Sequence, residues 1–348
     1  MSRRALTLMV AGLLTLALGV VGAWLPVPYV VLSPGPTENT LGLVKGKSVI
    51  SIEGHRVYPT SGRLSLVTVA YQGGPGSPID LLTALRGWVD STAAVVPEET
   101  IFPKTSTVQE VEQENTQEMA SSQQLATAAA LTELKIPIKM LITVGSTQKG
   151  TPADGVLKAG DEIYAVDGAR QPTADAIARA VQKHKPGDRV RLTVRRDGKP
   201  VDLMVGTVAG QDGKALVGVI MVPRFVFPFD VNINVGDVGG PSAGLMFSLG
   251  IYDKLTPGAL TGGKSIAGTG TITPEGQVGP IGGIQQKMVG ARDAGATIFL
   301  TPADNCAEAM RAVPEGLRLV KVDTMHSAVQ SINALRTGTG DVPRCSAD

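Results

Sequence analysis

The chain has 348 residues, enough for a membrane segment and roughly two domains. Acidic and basic residues nearly cancel to a net charge of +1, which removes any electrostatic case for nucleic acid as a partner. Neither of the two cysteines sits in CxxC spacing and HExxH is absent, so no metal site and no cofactor are expected.

The N-terminus supplies much of the hydropathy. Residues 1–5 carry Arg3 and Arg4, and residues 6–25 read LTLMVAGLLTLALGVVGAWL without a charge. As a helix, that length spans a hydrocarbon core of about 30 Å, with the arginines kept in the cytoplasm. A cleaved signal peptide, with Ala17 and Gly19 near its cleavage site, is the competing reading. Signal h-regions run about 7–15 residues, so the length favours an uncleaved, single-pass anchor in the cytoplasmic membrane. On either reading the rest of the chain is extracytoplasmic. In that oxidising compartment Cys306 and Cys345 are expected to pair, tying the tail (338–348) to the last domain; a buried Cys306 beside a free tail thiol is the alternative.

Residues 26–133 form a turn-rich opening section. RLSLVTVAY (Arg63–Tyr71) alternates with period two and predicts a strand. Asp80 to Trp88 predicts a short helix, and Val108 to Leu134 a long one whose Met119, Leu125, Ala129 and Leu131 face a core. Beyond it, Leu141–Val144 reads as a strand, Ala174–His184 as a helix, and RVRLTVRR and VDLMV as strands joined by a turn at Asp197–Lys199. Between them, TPADGVLKAGDEIYAVDG (Thr151–Gly168) resembles a PDZ domain of the kind attached to extracytoplasmic proteases, set at 134–211. That resemblance implies an extended peptide, with exposed C-termini among the partners, added as a strand beside the domain's first strand. Leu134, Lys135 and Ile136 would then form the carboxylate loop, and Leu141, Ile142 and Thr143 the strand beside it.

The section from 212 to 337 holds the candidate chemistry. Val231–Val235 predicts a strand and Ala243–Lys254 a helix, with Ser242, flanked by Gly240, Pro241 and Ala243, at the helix mouth. Amide N–H groups at a helix start are unpaired and carry the positive end of its dipole, so they suit an oxyanion formed by attack of Ser242. The same serine also reads as a plain N-cap. GPSAG fits the G-x-S-x-G elbow of α/β-hydrolases, which would make His326 the base, Asp304 or Asp323 its acid, and the protein an esterase. No HGG-type segment precedes the serine. GALTGGKS (Gly258–Ser265) satisfies the Walker A pattern, yet a helix precedes it and a strand-like run follows, so it predicts a loop without phosphate. VGPIGGIQQKMVGARDAGA (Val278–Ala296) puts Lys287 near the start of a helix launched by Gly282-Gly283. An apolar, glycine-packed setting disfavours the charged lysine, and a Ser–Lys dyad then needs no histidine. A solvated helix charge is the plainer alternative for Lys287.

Taken in order, GPSAG, GTGTIT, GPIGGIQQKMVGARDAGA and TPADN strongly resemble the proteolytic domain of Lon proteases. The resemblance implies Ser242 as nucleophile, Lys287 as its base and Thr269 beside the dyad. Many members carry an acidic residue three before the serine; here it is Gly239, with Asp237 as the candidate substitute. RLSLVTVAY and EMASSQQLATAAAL (Glu118–Leu131) resemble that domain's first strands and helix, which would put the PDZ domain inside the protease fold. The full order resembles the PDZ-Lon proteases of Gram-positive bacteria, the YlbL-like family. It implies an α+β fold with an N-terminal transmembrane helix and a Lon-type proteolytic domain with an inserted or preceding PDZ domain. The implied activity is that of an ATP-independent serine endopeptidase acting on exposed or unfolded polypeptides, with assembly into a homo-oligomer left open. A non-catalytic PDZ adaptor is the remaining rival, and the intact Ser242 and Lys287 argue against it.

Overall fold

This computed structural model describes residues 3–103, 106–236 and 238–346. Its opening section contains helix α1 (Arg3–Ala23), strands β1 (Tyr29–Asn39) and β2 (Arg63–Gln72), helix α2 (Leu81–Val89), strand β3 (Ala94–Pro97) and helix α3 (Val108–Glu133). Next come strands β4 (Lys139–Thr147) and β5 (Glu162–Val166), helix α4 (Ala174–Val181), and strands β6 (Arg189–Arg196), β7 (Lys199–Gly206) and β8 (Val219–Val226). The last section contains helix α5 (Gly244–Leu255), strand β9 (Ser265–Gly268), helix α6 (Ile284–Asp293), strands β10 (Ile298–Pro302) and β11 (Arg318–Val322), and helix α7 (Met325–Thr337). These elements make two units, one of Met1–Ile136 with Phe229–Asp348 and one of Pro137–Pro228.

In the first unit the sheet order is β11-β10-β9-β2-β1-β3. Strand β9 pairs in parallel with β2 on one side, Ile266 opposite Leu64, and with β10 on the other, Ile266 opposite Ile298. A strand from before the second unit is thus central to a sheet whose other parallel strands come after it. Leu64, Leu66, Ile266, Ala267, Phe299 and Leu300 are all buried, the near-continuous apolar run expected of parallel strands covered on both faces. Helix α6 contributes Ile284, Met288 and Ala291 to the core formed with Val67, Ala267 and Phe299. Helix α5 packs against α3 and β2 and buries Leu245, Met246, Phe247, Leu249 and Ile251.

Helix α3 starts at a capping box, Thr107 with Glu110, and its Ala126–Leu131 run is buried on every side. The small alanines let α5 come close. Leu125 departs from the expected core face: it is only half-buried, because the buried positions run through Met119, Ser122 and Ala126 instead.

The second unit is an antiparallel sheet in the order β7-β6-β5-β4-β8. On β6, Val190, Leu192 and Val194 are buried and alternate with Arg189, Arg191 and Arg195, and Ile177 and Val181 of α4 cover that face. Asp197 and Gly198 both take positive φ, 50° and 77°, which the two-residue turn between β6 and β7 requires.

Two expectations are corrected here. The sequence boundary at 211/212 falls too early, because β8 returns along the whole of β4, from Val219 opposite Thr147 to Val226 opposite Lys139. The expected peptide groove is met only in part. Strand β4 is paired to β8 along its length and to β5 at Thr143, so Thr143 has no free edge, whereas Leu141 and Ile142 are paired on the β8 side alone. Leu134, Lys135 and Ile136 belong to the first unit, where they end α3: the N–H of Leu134 reaches Ala130 O and that of Ile136 reaches Leu131 O. The sheet ends at β7 on one side and at β8 on the other.

Candidate active site

The mouth of α5 is held from three directions. Gly240, at φ 85°, donates its N–H to Asn115 O on α3 at 3.1 Å. Ser122, also on α3, donates its hydroxyl to Pro241 O at 3.0 Å. The Ser242 carbonyl accepts the Gly270 N–H at 2.9 Å and the Thr269 hydroxyl at 3.0 Å. Ala243, not Ser242, occupies the N-cap position, and no side chain caps the helix. The plain N-cap reading of Ser242 therefore fails, and its hydroxyl is left for another partner.

That partner comes from α6. Asn305 grips the turn before this helix twice, accepting the Ile281 N–H and donating to the Ile281 carbonyl, each at 2.9 Å. Gly283 then starts the helix at φ 67°, and a Cβ there would lie 2.7 Å from Val69 Cγ2. Only glycine combines that conformation with that approach. From the first turn of α6, Lys287 reaches inward and its Nζ donates to Ser242 Oγ at 2.7 Å and to Thr269 Oγ1 at 3.2 Å. Lys287 is only 4% exposed. Burial disfavours the ammonium and pulls its pKa from 10.5 down to about 8. The solvated-charge reading of Lys287 does not survive this.

The other candidates lie elsewhere. His326 is on the exposed start of α7, where its Nδ1 meets Glu133 and its Nε2 meets Gln330; Asp323 is bonded to Ser327. His55 contacts Arg56 O, and His184 contacts Asp167 in the second unit. None of the three histidines is bonded to Ser242, so the esterase arrangement has no base. GALTGGKS links α5 to β9, a loop between helix and strand and not the strand-to-helix loop that cradles phosphate. At Gly239 a Cβ would stand 2.9 Å from Asn115 Cβ, so α3 occupies the space where an acidic side chain would begin. Asp237, the candidate substitute, lies outside the described residues. Cys306 and Cys345 are disulfide-bonded, with Cα atoms 5.0 Å apart.

Sequence reasoning missed Asn115, Ser122 and the clamp made by Asn305. Ser122 left a trace, being a polar residue on the buried face marked by Met119 and Ala126. Asn305 was marked only as the end of TPADN, with no sign of its role, and Asn115 left no trace.

Comparison with known proteins places these features. Residues 230–335 match the Lon protease (S16) C-terminal proteolytic domain, and residues 111–207 match the PDZ domain family. Lon protease 1 of Bacillus subtilis is 35% identical over 100 residues, 28% of this chain and 12% of that protein. Lon protease 2 of Herpetosiphon aurantiacus is 38% identical over 93 residues, 26% of this chain and 11% of that protein. The chain thus spans only about an eighth of the length of these curated relatives. Among solved structures, the PDZ domain of an SdrC-like protein from Listeria innocua is similar at 24% identity, covering 23% of this chain and 92% of that one, with a TM-score of 0.22. The chain combines a PDZ domain with a Lon-type proteolytic domain, the combination found in PDZ-Lon proteases.

Proposed function

We propose that this chain is a membrane-anchored, ATP-independent serine endopeptidase in which Ser242 is the nucleophile and Lys287 its general base. The observation that carries the reading is the 2.7 Å approach of a buried, charge-disfavoured lysine to the serine hydroxyl, with no histidine bonded to it. When Lys287 is neutral its Nζ accepts the Ser242 proton as Oγ bonds to the scissile carbonyl carbon, and the carbonyl pair moves onto oxygen. N–H groups at the start of α5 would stabilise the new oxyanion, apart from those of Gly240 and Leu245, which are taken by Asn115 O and Gly270 O. As the tetrahedral centre collapses, the C–N bond breaks and Lys287 returns the proton to the leaving amine. Water then attacks the acyl-enzyme, passes its proton through Lys287, and restores the Ser242 hydroxyl.

Thr269 joins the two halves of the dyad, while Gly240, Pro241 and Ala243 shape the backbone at the nucleophile. We place substrate docking on strand β8, one of the sheet's two edge strands, because it exposes Ile220 and Val222 and lies along β4, the unit's first strand. Helix α1 is long and apolar enough to cross a membrane, and none of its residues is buried, which supports an anchor with the dyad outside the cytoplasm. The test is cleavage of an unstructured polypeptide by the full chain without nucleotide, beside Ser242→Ala. ATP-dependent cleavage, or nucleotide binding lost in Lys264→Ala, would contradict the reading.

A further inference from the structure

Helix α2 is built inside out for a water-facing domain. The residues it buries are Ala84 and Gly87, and a Cβ on Gly87 would lie 2.9 Å from Val95 and 3.0 Å from Val31. Its large apolar residues point outward: Leu82 is 40% exposed, Leu85 44%, Trp88 55% and Val89 87%. Spacings of three and four residues put these side chains on one stripe. Such a face is costly in water and normally covered.

Its position names the cover. The Leu81 N–H, at the start of α2, donates to Leu25 O at 3.0 Å, and the adjoining Pro26–Val27 pairs antiparallel with Ile79–Asp80. The stripe is therefore fastened to the chain within a few residues of the end of α1, where Trp24 and Leu25 are exposed as well. Tryptophan is favoured at the boundary between hydrocarbon and headgroups, and a short amphipathic helix lies flat there with its apolar face buried. Polar and charged groups of the segment, Asp80, Thr83, Arg86 and Asp90, are left for the headgroup side. We infer that α2 is a second membrane contact: its Leu82–Leu85–Trp88–Val89 face lies in the outer interface of the same bilayer that α1 crosses. This rests on the reading of α1 as a span. It also bears on the dyad, because Gln286, next to Lys287, reaches Thr92 O just beyond α2, so the seat of α2 helps set how the dyad stands over the membrane.

The chain's two tryptophans, Trp24 and Trp88, make this measurable. The full chain would be reconstituted in phosphatidylcholine–phosphatidylglycerol vesicles whose acyl chains are brominated near the headgroup end. In Trp24→Phe the emission of Trp88 should be largely lost to the brominated lipid and protected from aqueous iodide. Adding Leu85→Glu and Val89→Glu to that variant should restore the emission while cleavage of a short soluble peptide is unchanged. Iodide quenching without lipid quenching would show a water-facing helix and overturn the inference. Protection from both quenchers would mean that protein, a second copy included, covers the stripe, and would overturn it too. In Trp88→Phe the signal reports Trp24: quenching by lipid there with none at Trp88 sinks the α2 contact alone, whereas no quenching at either removes the anchor as well.

Discussion

Thr269 and Ser242 meet through the main chain, the Thr269 hydroxyl donating to the Ser242 carbonyl at 3.0 Å while it accepts from Lys287 Nζ at 3.2 Å. One side chain thus sets both the backbone beneath the nucleophile and the direction of the base. Thr269→Val should lower kcat by about ten- to a hundredfold, the range for losing a hydrogen bond to a charged group, with KM little changed. Thr269→Ser should recover most of it. Wild-type kcat in the valine variant would remove this positioning role.

The pKa of Lys287 has consequences for rate and for stability. With Lys287 as the proposed base, its neutral amine is the working form, so kcat should rise with pH through about 8 and then level off. Between about 8 and its ordinary value of 10.5 the unfolded chain binds the proton that the folded one has released, so Lys287 makes stability rise with pH across that window. Below the window the buried charge is carried at full cost. Lys287→Met should accordingly stabilise the fold at pH 7 by no more than roughly 3 kcal/mol, seen as a higher Tm, and the advantage should be gone above the window. Thermal unfolding of both proteins at the two ends of the window checks this; an equal Tm shift at both ends would contradict it.

The Cys306–Cys345 bridge closes a sequence separation of 39 residues, which corresponds to about 4 kcal/mol in the chain-entropy description. Cys345→Ser should lower Tm accordingly. Alkylation of unreduced, unfolded protein taken from outside the membrane should find neither thiol; labelling of both would show that the bridge does not form in the native protein.

The second unit should act on substrate capture. Replacing 137–228 by a short Gly/Ser linker removes β4 and its partner β8 together, where a cut at 207 would strand β8. Short peptides should still be cleaved slowly, while long substrates should suffer mainly in KM through loss of a docked, high local concentration. Equal loss on both substrates would make the unit a support of the fold, and faster cleavage of both would make it a cover.

What could be read from the sequence was what is local. Ser242 sits just before a helix and Lys287 in the first turn of another, each start marked by glycines that leave a signature in a few adjacent residues. Cys306 and Cys345 could be paired from their number and the compartment expected from α1. The pairing of β4 with β8 could not be read, because that partner lies about eighty residues away. The unit's true end was hidden for the same reason: GQDGK looks like a boundary, and VGVIMVPRFV carries no mark of the sheet it joins. Leu125 was misplaced because alanine-rich turns of α3 bury every face and erase the periodicity that would orient it.

The dyad is tested most directly by cleavage of one unstructured polypeptide by wild type, Ser242→Ala, Lys287→Ala, the double variant and His326→Ala. Residues acting as one unit are not additive, so both single variants and the double should fall to the same residual rate, with His326→Ala within a few-fold of wild type. Retention of activity in Lys287→Ala, with loss in His326→Ala, would contradict the Ser–Lys mechanism.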